Sequence, residues 1–276
     1  MADEWARYLR QQAELGGREV IVGHRAGSSD QAAGRGTRDA DPVEPAPPAT
    51  APTASRGLNA ESGPADWRKG APPIPGPGIS VEPPTASMDE ELSELATLEA
   101  VAAVVRGCRK CPLCEGRTHA VPGEGDPGAR LVIVGEGPGQ NEDQTGRPFV
   151  GRAGELLDKI LLSIEVPRAS AYILNIVKCR PPQNRAPLPD EIAACVPYLH
   201  RQLALLRPKV ILAAGTTAAA GLLRTRKSLG QLRGQVHRYG DVPLVVTYHP
   251  AALLRNPNWK KPTWDDVRIA RQLLDA

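Results

Sequence analysis

The residues best suited to chemistry lie in one glycine-rich stretch, residues 135–154. It contains six glycines and five charged side chains, including Glu136 and Glu142. Glycine lets the backbone approach a ligand closely and adopt positive φ, while the charged side chains remain available for chemistry. We therefore predict that this stretch is a ligand-binding loop.

Phe149, the only phenylalanine of the chain, lies within this loop. A loop aromatic can fold back onto the hydrophobic core, because its large apolar area favours burial. Alternatively, it offers a flat face on which a planar ligand such as a nucleobase stacks. The residue type and its position leave both interpretations open.

Five cysteines indicate a metal site. Cys108 and Cys111 form a C-x2-C pair, and Cys179 and Cys195 form a distant second pair. Four thiolates suit structural zinc or an iron–sulfur cluster, and the spacing does not distinguish them. Cys114 would extend the first pair to a ferredoxin-like run, but position 118 is Thr where that run needs Cys. Five buried thiols without a metal are the alternative.

Two polar residues accompany apolar segments further along the chain. Asn175 interrupts an apolar run, where its amide must find hydrogen bonds, either to a neighbouring loop or to the edge of a base. His249 follows the last apolar run and precedes Pro250. Leu253, Leu254 and Arg255 lie just beyond it and could form an exposed wedge for a DNA duplex.

The elements that must position these residues alternate between strands and helices. Uninterrupted apolar runs predict buried parallel strands, and helices on both sides cover such a sheet. We predict a three-layer α/β/α fold around a mainly parallel four-stranded sheet, with the ligand site at the carboxyl ends of the strands. The predicted strands are 131–134, 172–177, 210–214 and 244–247, and the predicted helices are 88–105, 153–164, 189–206, 216–223 and 263–274.

The first 87 residues differ from the rest in composition. Twelve of the 28 prolines lie between Pro42 and Pro84, with few large apolar residues between them. Such a segment buries too little surface to offset its ordering entropy. We predict a largely disordered tail over 1–87, with a short helix near its start, followed by a single folded domain over 88–276.

Charge separates the two parts as well. Residues 99–276 carry 25 Lys and Arg against 16 Asp and Glu, and residues 1–98 carry 9 against 15. A basic folded domain suggests a polyanionic partner. No apolar run approaches the roughly 20 residues of a membrane span, and the N-terminus does not resemble a secretory signal. We expect a cytoplasmic, nucleoid-associated monomer, and we assign no partner to the tail.

A dinucleotide-binding site is not expected, because Gln140 replaces a fingerprint glycine and Lys178-Cys179-Arg180 follows the second strand, where an acidic residue is needed. Five ordered motifs instead resemble the type 4 (family 4) uracil-DNA glycosylases, the iron–sulfur branch of that superfamily. These motifs are CRKCPL at 108–113, GEGPG at 135–139, TGRPFVG at 145–151, NIVKCRPP at 175–182 and HPAALLRNP at 249–257.

This resemblance implies an enzyme that flips deoxyuridine out of DNA and hydrolyses its N-glycosidic bond, which initiates base excision repair. It also implies a structural [4Fe–4S] cluster held by Cys108, Cys111, Cys179 and Cys195, with Cys114 outside the ligand set.

The resemblance also implies roles for the other candidate residues. Glu136, Glu142 and His249 would be catalytic, the histidine by stabilising the departing uracil anion and the carboxylates by orienting water or offsetting charge on the sugar. The residues that would bind the uracil are Gly137, Phe149 and Asn175. The residues that would contact DNA are Arg180, Arg185, Leu254 and Arg255. A non-catalytic DNA-binding module with the same fold is the alternative.

Overall fold

The computed structural model describes residues 66–84 and 90–276. The predicted N-terminal helix and most of the predicted tail lie outside these residues. The strands are β1 (Pro77–Val81), β2 (Glu124–Gly125), β3 (Leu131–Gly135), β4 (Ala171–Asn175), β5 (Val210–Ala214), β6 (Val236–Tyr239) and β7 (Val242–Thr247). They form one mixed sheet in the order β1-β6-β7-β5-β3-β4-β2.

The four predicted strands form the parallel centre of this sheet. β7, β5, β3 and β4 are neighbours with parallel pairing. Their residues are buried on both faces of the sheet, which explains why they appear in the sequence as continuous apolar runs. β6 and β2 pair antiparallel on the two sides of this centre, and β1 pairs parallel with β6.

Ten α-helices lie in the described residues. They are α1 (Glu90–Ser93), α2 (Leu98–Gly107), α3 (Leu113–Gly116), α4 (Gln140–Thr145), α5 (Arg152–Ser163), α6 (Pro189–Leu206), α7 (Thr216–Leu223), α8 (Leu229–Leu232), α9 (Pro250–Arg255) and α10 (Lys260–Asp275). Short 3-10 turns span Arg168–Ser170, Pro182–Asn184 and Pro257–Trp259.

Helices cover the two faces of the sheet. Val132 and Val134 of β3 pack in one core with α2, α6 and α7, whereas Leu131 and Ile133 pack in a second core with α5 and α10. Alternate residues of a strand point to opposite faces, so two separate cores are expected. The predicted three-layer α/β/α fold is therefore confirmed.

The helix predicted over 88–105 is interrupted. Thr97 is extended, and its side chain accepts a hydrogen bond from Ala100 N, so a new helix begins at Leu98. A threonine that caps a helix in this way separates α1 from α2. The apolar periodicity of the segment continues across the break, which explains why the sequence predicts one helix.

The folded domain begins before the predicted boundary at residue 88. Residues 66–84, assigned to the tail by composition, include β1 at the edge of the sheet. Pro77 is tolerated there because it is the first residue of an edge strand. The buried His237 fixes this strand, since its Nδ1 accepts a hydrogen bond from Ile79 N at 2.9 Å.

Trp67 attaches the same segment to the opposite core. Its ring is buried against the apolar side chains of β3, α5 and α10, and its indole N–H donates to Glu165 at 3.3 Å. A single aromatic residue can attach a segment to the core in this way because it buries a large apolar area. Proline content alone therefore places the tail boundary too late in the chain.

None of the helices in the described residues has both the length and the apolar character needed to cross a bilayer.

We predict that Trp67→Ala lowers the free energy of unfolding by about 3 to 5 kcal/mol, because it removes a buried ring and leaves a cavity. Urea unfolding of the full-length chain measures this change. Ile74→Ala is the matched control, because Ile74 lies in the same segment but is exposed. If Trp67→Ala lowers the free energy of unfolding as little as Ile74→Ala does, the Trp67 ring does not contribute to the core.

Candidate functional site

The site lies where the parallel strands end. Gly135 and Asn175, the last residues of β3 and β4, are register partners. β7 ends at Thr247, two residues before His249. The chain continues from β3 to β4 on one side and from β5 to β7 on the other, so the sheet has its topological switch point between β3 and β5. Ligands of open α/β sheets bind at such a crevice.

Asn175 and Phe149 meet above Gly135. A methyl group at Gly135 would lie 2.4 Å from Asn175 Oδ1 and 2.7 Å from the Phe149 ring. Only glycine leaves space for both groups. Asn175 is 1% exposed, and no donor among the described residues reaches its Oδ1. A buried oxygen without a donor costs about 1 to 3 kcal/mol, so a ligand that donates a hydrogen bond here would recover this free energy.

Phe149 contacts both the core and the site. Its ring is 5% exposed and packs with the apolar core beneath β3, as the core-packing interpretation expects. It also stacks on the His249 ring, with 5.3 Å between centroids and an interplanar angle of 29°. The structure therefore brings Phe149, Asn175 and His249 together, and base stacking on Phe149 stays a prediction.

His249 has a defined tautomer. Its Nδ1 accepts a hydrogen bond from Ala251 N at 3.2 Å, where it caps the N-terminus of α9. An accepting Nδ1 carries no proton, so in the neutral ring the proton lies on Nε2. Burial, with a smaller contribution from nearby Arg255, lowers the pKa of His249 to about 4. His249 is therefore a neutral Nε2–H donor at neutral pH.

Glu142 holds the loop together. Its Oε2 accepts from Gly139 N at 3.0 Å, and its Oε1 accepts from Val150 N at 2.9 Å and Gly151 N at 3.2 Å. Both carboxylate oxygens are thus used within the loop. These bonds fix the turn at Phe149, which has a φ of 51°. A non-glycine residue in that conformation needs support from its surroundings.

Arg168 supports the same turn from the other side. Its guanidinium donates to Pro148 O at 2.6 Å and to Phe149 O at 3.1 Å. Ion pairs with Glu124 and Asp158 hold the guanidinium in place. The sequence does not identify Arg168 as a site residue, because no local pattern links it to a loop nineteen residues earlier.

Glu136 reaches across the switch point. Its Oε2 accepts a hydrogen bond from the Thr217 hydroxyl at the start of α7. The carbonyls of Gly135 and Glu136 pair with the backbone beyond β4. Gly137 approaches Val177 so closely that a Cβ would lie 2.6 Å from a valine methyl carbon. This packing positions Glu136 beside the crevice, and the sequence does not reveal its Thr217 partner.

The residues predicted to contact DNA differ in their surroundings. Leu254 is 40% exposed and Arg255 is exposed, both at the end of α9. Arg180 donates to Asn184 within its own loop. Arg185 forms a bidentate pair with the buried Glu191, at 2.6 and 2.9 Å. A phosphate would therefore have to compete with Glu191 for Arg185. Leu253, predicted to belong to the exposed wedge, is 1% exposed, so the prediction is wrong for that residue.

The cysteines surround one cavity, which is lined by all five of them. Three of the four predicted ligands accept N–H donors at sulfur. Lys110 N lies 3.5 Å from Cys108 Sγ, Arg117 Nη1 lies 3.0 Å from Cys179 Sγ, and Lys178 N lies 3.2 Å from Cys195 Sγ. Hydrogen bonds to sulfur are a recurring feature of iron–sulfur sites.

Burial disfavours the thiolate form of three of these cysteines. Burial raises the pKa of Cys111 and Cys179, and raises that of Cys195 to about 12. Thiols in this environment stay protonated unless a metal supplies positive charge. No three His, Cys, Asp or Glu side chains of the described residues converge on the position of a single metal ion.

Lys178 connects the cysteine cavity to the end of β4. It is fully buried, and its Nζ donates to Asn175 O at 2.8 Å. Its burial lowers its pKa to about 8. Lys178 thus donates hydrogen bonds both to the backbone of Asn175, through Nζ, and to the sulfur of Cys195, through its backbone N–H.

Comparison with known proteins agrees with this arrangement. Residues 122–270 match the Uracil DNA glycosylase superfamily. The chain is 47% identical over 181 residues to the type-4 uracil-DNA glycosylase of Thermotoga maritima, covering 64% of this chain and 94% of that protein. It is 44% identical over 186 residues to the type-4 enzyme of Sulfurisphaera tokodaii, covering 64% and 84%.

A type-5 uracil-DNA glycosylase, that of Thermus thermophilus, is less similar, at 32% identity over 188 residues, covering 55% of this chain and 85% of that protein. The superfamily match spans more than half of the chain, and the type-4 proteins match it more closely than this type-5 protein does. The chain therefore belongs to the type-4 uracil-DNA glycosylases of the uracil-DNA glycosylase superfamily.

Proposed function

We propose that the protein is a uracil-DNA glycosylase, which extrudes deoxyuridine from DNA and hydrolyses its N-glycosidic bond to release uracil. The observation that carries this proposal is the meeting of Phe149, Asn175 and His249 at one crevice, with Asn175 Oδ1 lacking a donor among the described residues. Extrusion is needed because the glycosidic bond is inaccessible within the base stack.

Asn175 reads the edge of the base. Its Nδ2 donates to uracil O4, and its Oδ1 accepts from N3–H, which supplies the donor that this buried oxygen lacks in the protein alone. Cytosine presents a donor at C4 and an acceptor at N3, so the same amide opposes it. Phe149 stacks on the ring of the base.

His249 stabilises the leaving group. The C1′–N1 bond breaks with its electron pair remaining on uracil, so negative charge develops at N1 and O2 while positive charge develops on the sugar. The neutral Nε2–H of His249 donates to O2, and the backbone N–H of Gly137 assists. Water then bonds to C1′, and the proton that it loses passes through solvent to neutralise the uracil anion. Donors that are fixed where charge develops commonly accelerate a reaction by about a hundredfold or more each.

Glu142 and Glu136 have different roles in this proposal. Glu142 uses both oxygens to hold the Phe149 turn, which supports a positioning role with a long-range electrostatic effect on the sugar cation. Glu136 is held by one oxygen through Thr217, so we assign to it the orientation of water. The Glu136 carboxylate also offsets the sugar charge.

DNA is held outside the pocket by a wedge and by cations. Leu254 replaces the extruded nucleotide in the stack, and Arg180 and Arg255 contact phosphates. Arg185 serves mainly to hold its loop through Glu191, with any phosphate contact secondary. The basic charge of residues 99–276 supports action on nucleoid DNA in the cytoplasm, and we propose that the protein acts as a monomer.

The cysteine cavity fits a [4Fe–4S] cluster bound by Cys108, Cys111, Cys179 and Cys195. A single zinc ion needs four sulfurs around one point, whereas each thiolate of a cluster binds a different iron, which suits sulfurs spread around a cavity. A cluster bound there would supply cross-linking rather than reaction chemistry, because it would join the segment after α2 to the segment after β4 and to α6. Lys178 extends this support to Asn175.

The first test of the function is Asn175→Asp. A carboxylate at this position loses the donor to O4, so we expect kcat/KM for uracil excision to fall by about a hundredfold or more. The assay is single-turnover cleavage of an oligonucleotide with one deoxyuridine, followed by alkali treatment.

Asn141→Asp is the matched control. It introduces the same charge at an exposed position of α4, and its rate should stay close to that of the wild type. Wild-type protein that releases no uracil would refute the proposed function, and unchanged excision by Asn175→Asp would refute only the base-reading role.

The second prediction concerns pH. The pKa of His249 in the folded protein is lowered to about 4 from its usual 6.5, so the ring remains neutral on acidification through pH 6.5. We therefore expect the single-turnover rate to lack a transition from His249 near pH 6.5, and any change in rate caused by protonation of its Nδ1 to appear only as the pH approaches 4. His249→Asn, which does not titrate, provides the reference profile. A wild-type loss of rate centred near pH 6.5 and absent from His249→Asn would contradict a neutral histidine.

The third prediction concerns the cysteines. Anaerobically purified protein should show broad visible absorbance from the cluster, and Cys111→Ser should reduce it because one iron loses its thiolate. Cys114→Ser is the matched control, since Cys114 lines the cavity but lies outside the proposed ligand set, and its absorbance should persist. A colourless protein that contains zinc, or a loss of absorbance in Cys114→Ser, would overturn this assignment.

A further inference from the structure

Trp259 is a large apolar side chain left on the surface next to the proposed DNA wedge. It ends the 3-10 turn Pro257–Trp259, directly after α9, and is 36% exposed. Leu254 is the other exposed large apolar residue of this segment. Exposed apolar groups that cluster beside a binding site commonly extend it. None of the roles assigned above uses Trp259.

The Trp259 ring is held in a fixed orientation by a stack. It lies almost parallel to the Tyr248 ring, with 4.6 Å between centroids and an interplanar angle of 4°. The Arg233 guanidinium lies 4.3 Å from the centre of the Tyr248 ring. Because Trp259 covers one face of Tyr248, Arg233 must cover the other.

A buried ion pair anchors this stack. Arg233 binds Asp266 in bidentate fashion, at 2.7 and 3.0 Å, and both side chains are largely buried. Tyr248 directly precedes His249 in the chain. The exposed indole is therefore rigidly connected to the proposed catalytic site, and ordering it on binding requires little loss of conformational entropy.

The charge around Trp259 is positive. Arg255, Lys260 and Lys261 are exposed, and the sequence has no acidic residue between Pro250 and Thr263. Aromatic rings combined with cations are the usual surface for single-stranded nucleic acid, since the rings stack on bases while the cations contact phosphates. This combination favours DNA over an apolar protein partner.

We propose that Trp259 is a stacking platform for a second nucleobase, one that flanks the extruded deoxyuridine on the same DNA strand, and that Lys260 and Lys261 contact the adjoining phosphates. The proposal rests on the proposed function, because the extruded nucleotide defines where the strand runs. Stacking of this kind is tolerant of sequence, so any of the four bases can occupy the platform.

The test measures binding of the full-length protein to single-stranded oligonucleotides that contain an uncleavable 2′-fluoro-deoxyuridine. A second set of oligonucleotides replaces the bases on one or the other side of it with abasic analogues. Trp259→Ala should weaken binding about tenfold on the fully based strand and have little effect on the strand that lacks the stacking base. Trp259→Phe should restore most of the loss, because it retains an aromatic face.

Leu162→Ala is the matched control, since Leu162 is also apolar and 62% exposed but lies near the C-terminal end of α5, outside the segment that carries Trp259. It should leave binding unchanged on both strands. An equal loss for Trp259→Ala on based and abasic strands would overturn the platform and leave only a structural role for the ring. No loss on either strand would overturn it as well.

A double variant, Lys260→Gln with Lys261→Gln, tests the surface without altering the stack. It should reduce the slope of log binding constant against log salt by about one for each lysine, and an unchanged slope would refute the phosphate contacts. Binding to the uncleavable strand is measured independently of uracil release, so failure of the platform and failure of the glycosylase activity give different results.

Discussion

The site depends on the close approach of two neighbouring strand ends, which is possible because Gly135 has no side chain. The Asn175 amide and the Phe149 ring occupy the space that a Cβ at Gly135 would fill. The parallel register sets Gly135 opposite Asn175, so backbone hydrogen bonds fix the place of the Asn175 amide relative to the backbone against which the Phe149 ring lies. Rigid sheet geometry, more than any one side chain, therefore determines the dimensions of the pocket.

The loop that carries Phe149 has no regular hydrogen-bond pattern of its own, and charged side chains replace it. Glu142 binds backbone N–H groups on one side of the turn, and Arg168 binds carbonyls on the other. Opposite charges thus hold the two ends of the peptide unit that joins Phe149 to Val150. This arrangement stabilises the positive φ of Phe149, which an isolated loop would rarely adopt.

The sequence predicts the central strands and most long helices correctly, because continuous apolar runs and helical periodicity are local signals. It misses β1, β2 and β6, since β1 begins with a proline, β2 has only two residues and β6 carries the polar His237 and Arg238. It identifies Phe149, Asn175 and His249 through motifs that resemble the family. The sequence does not predict the contacts of Glu142, Arg168 and Thr217. These contacts join segments that are distant in the chain or involve backbone atoms.

The Asn175 oxygen without a donor also affects the end of the reaction. Free uracil carries the same N3–H and O4 as the base attached to DNA, so the released pyrimidine satisfies this oxygen equally well. If Asn175 reads the base as proposed, inhibition by free uracil would follow from the same hydrogen bond that gives selectivity. A tighter fit to the base would then slow the release of uracil and lengthen each catalytic cycle.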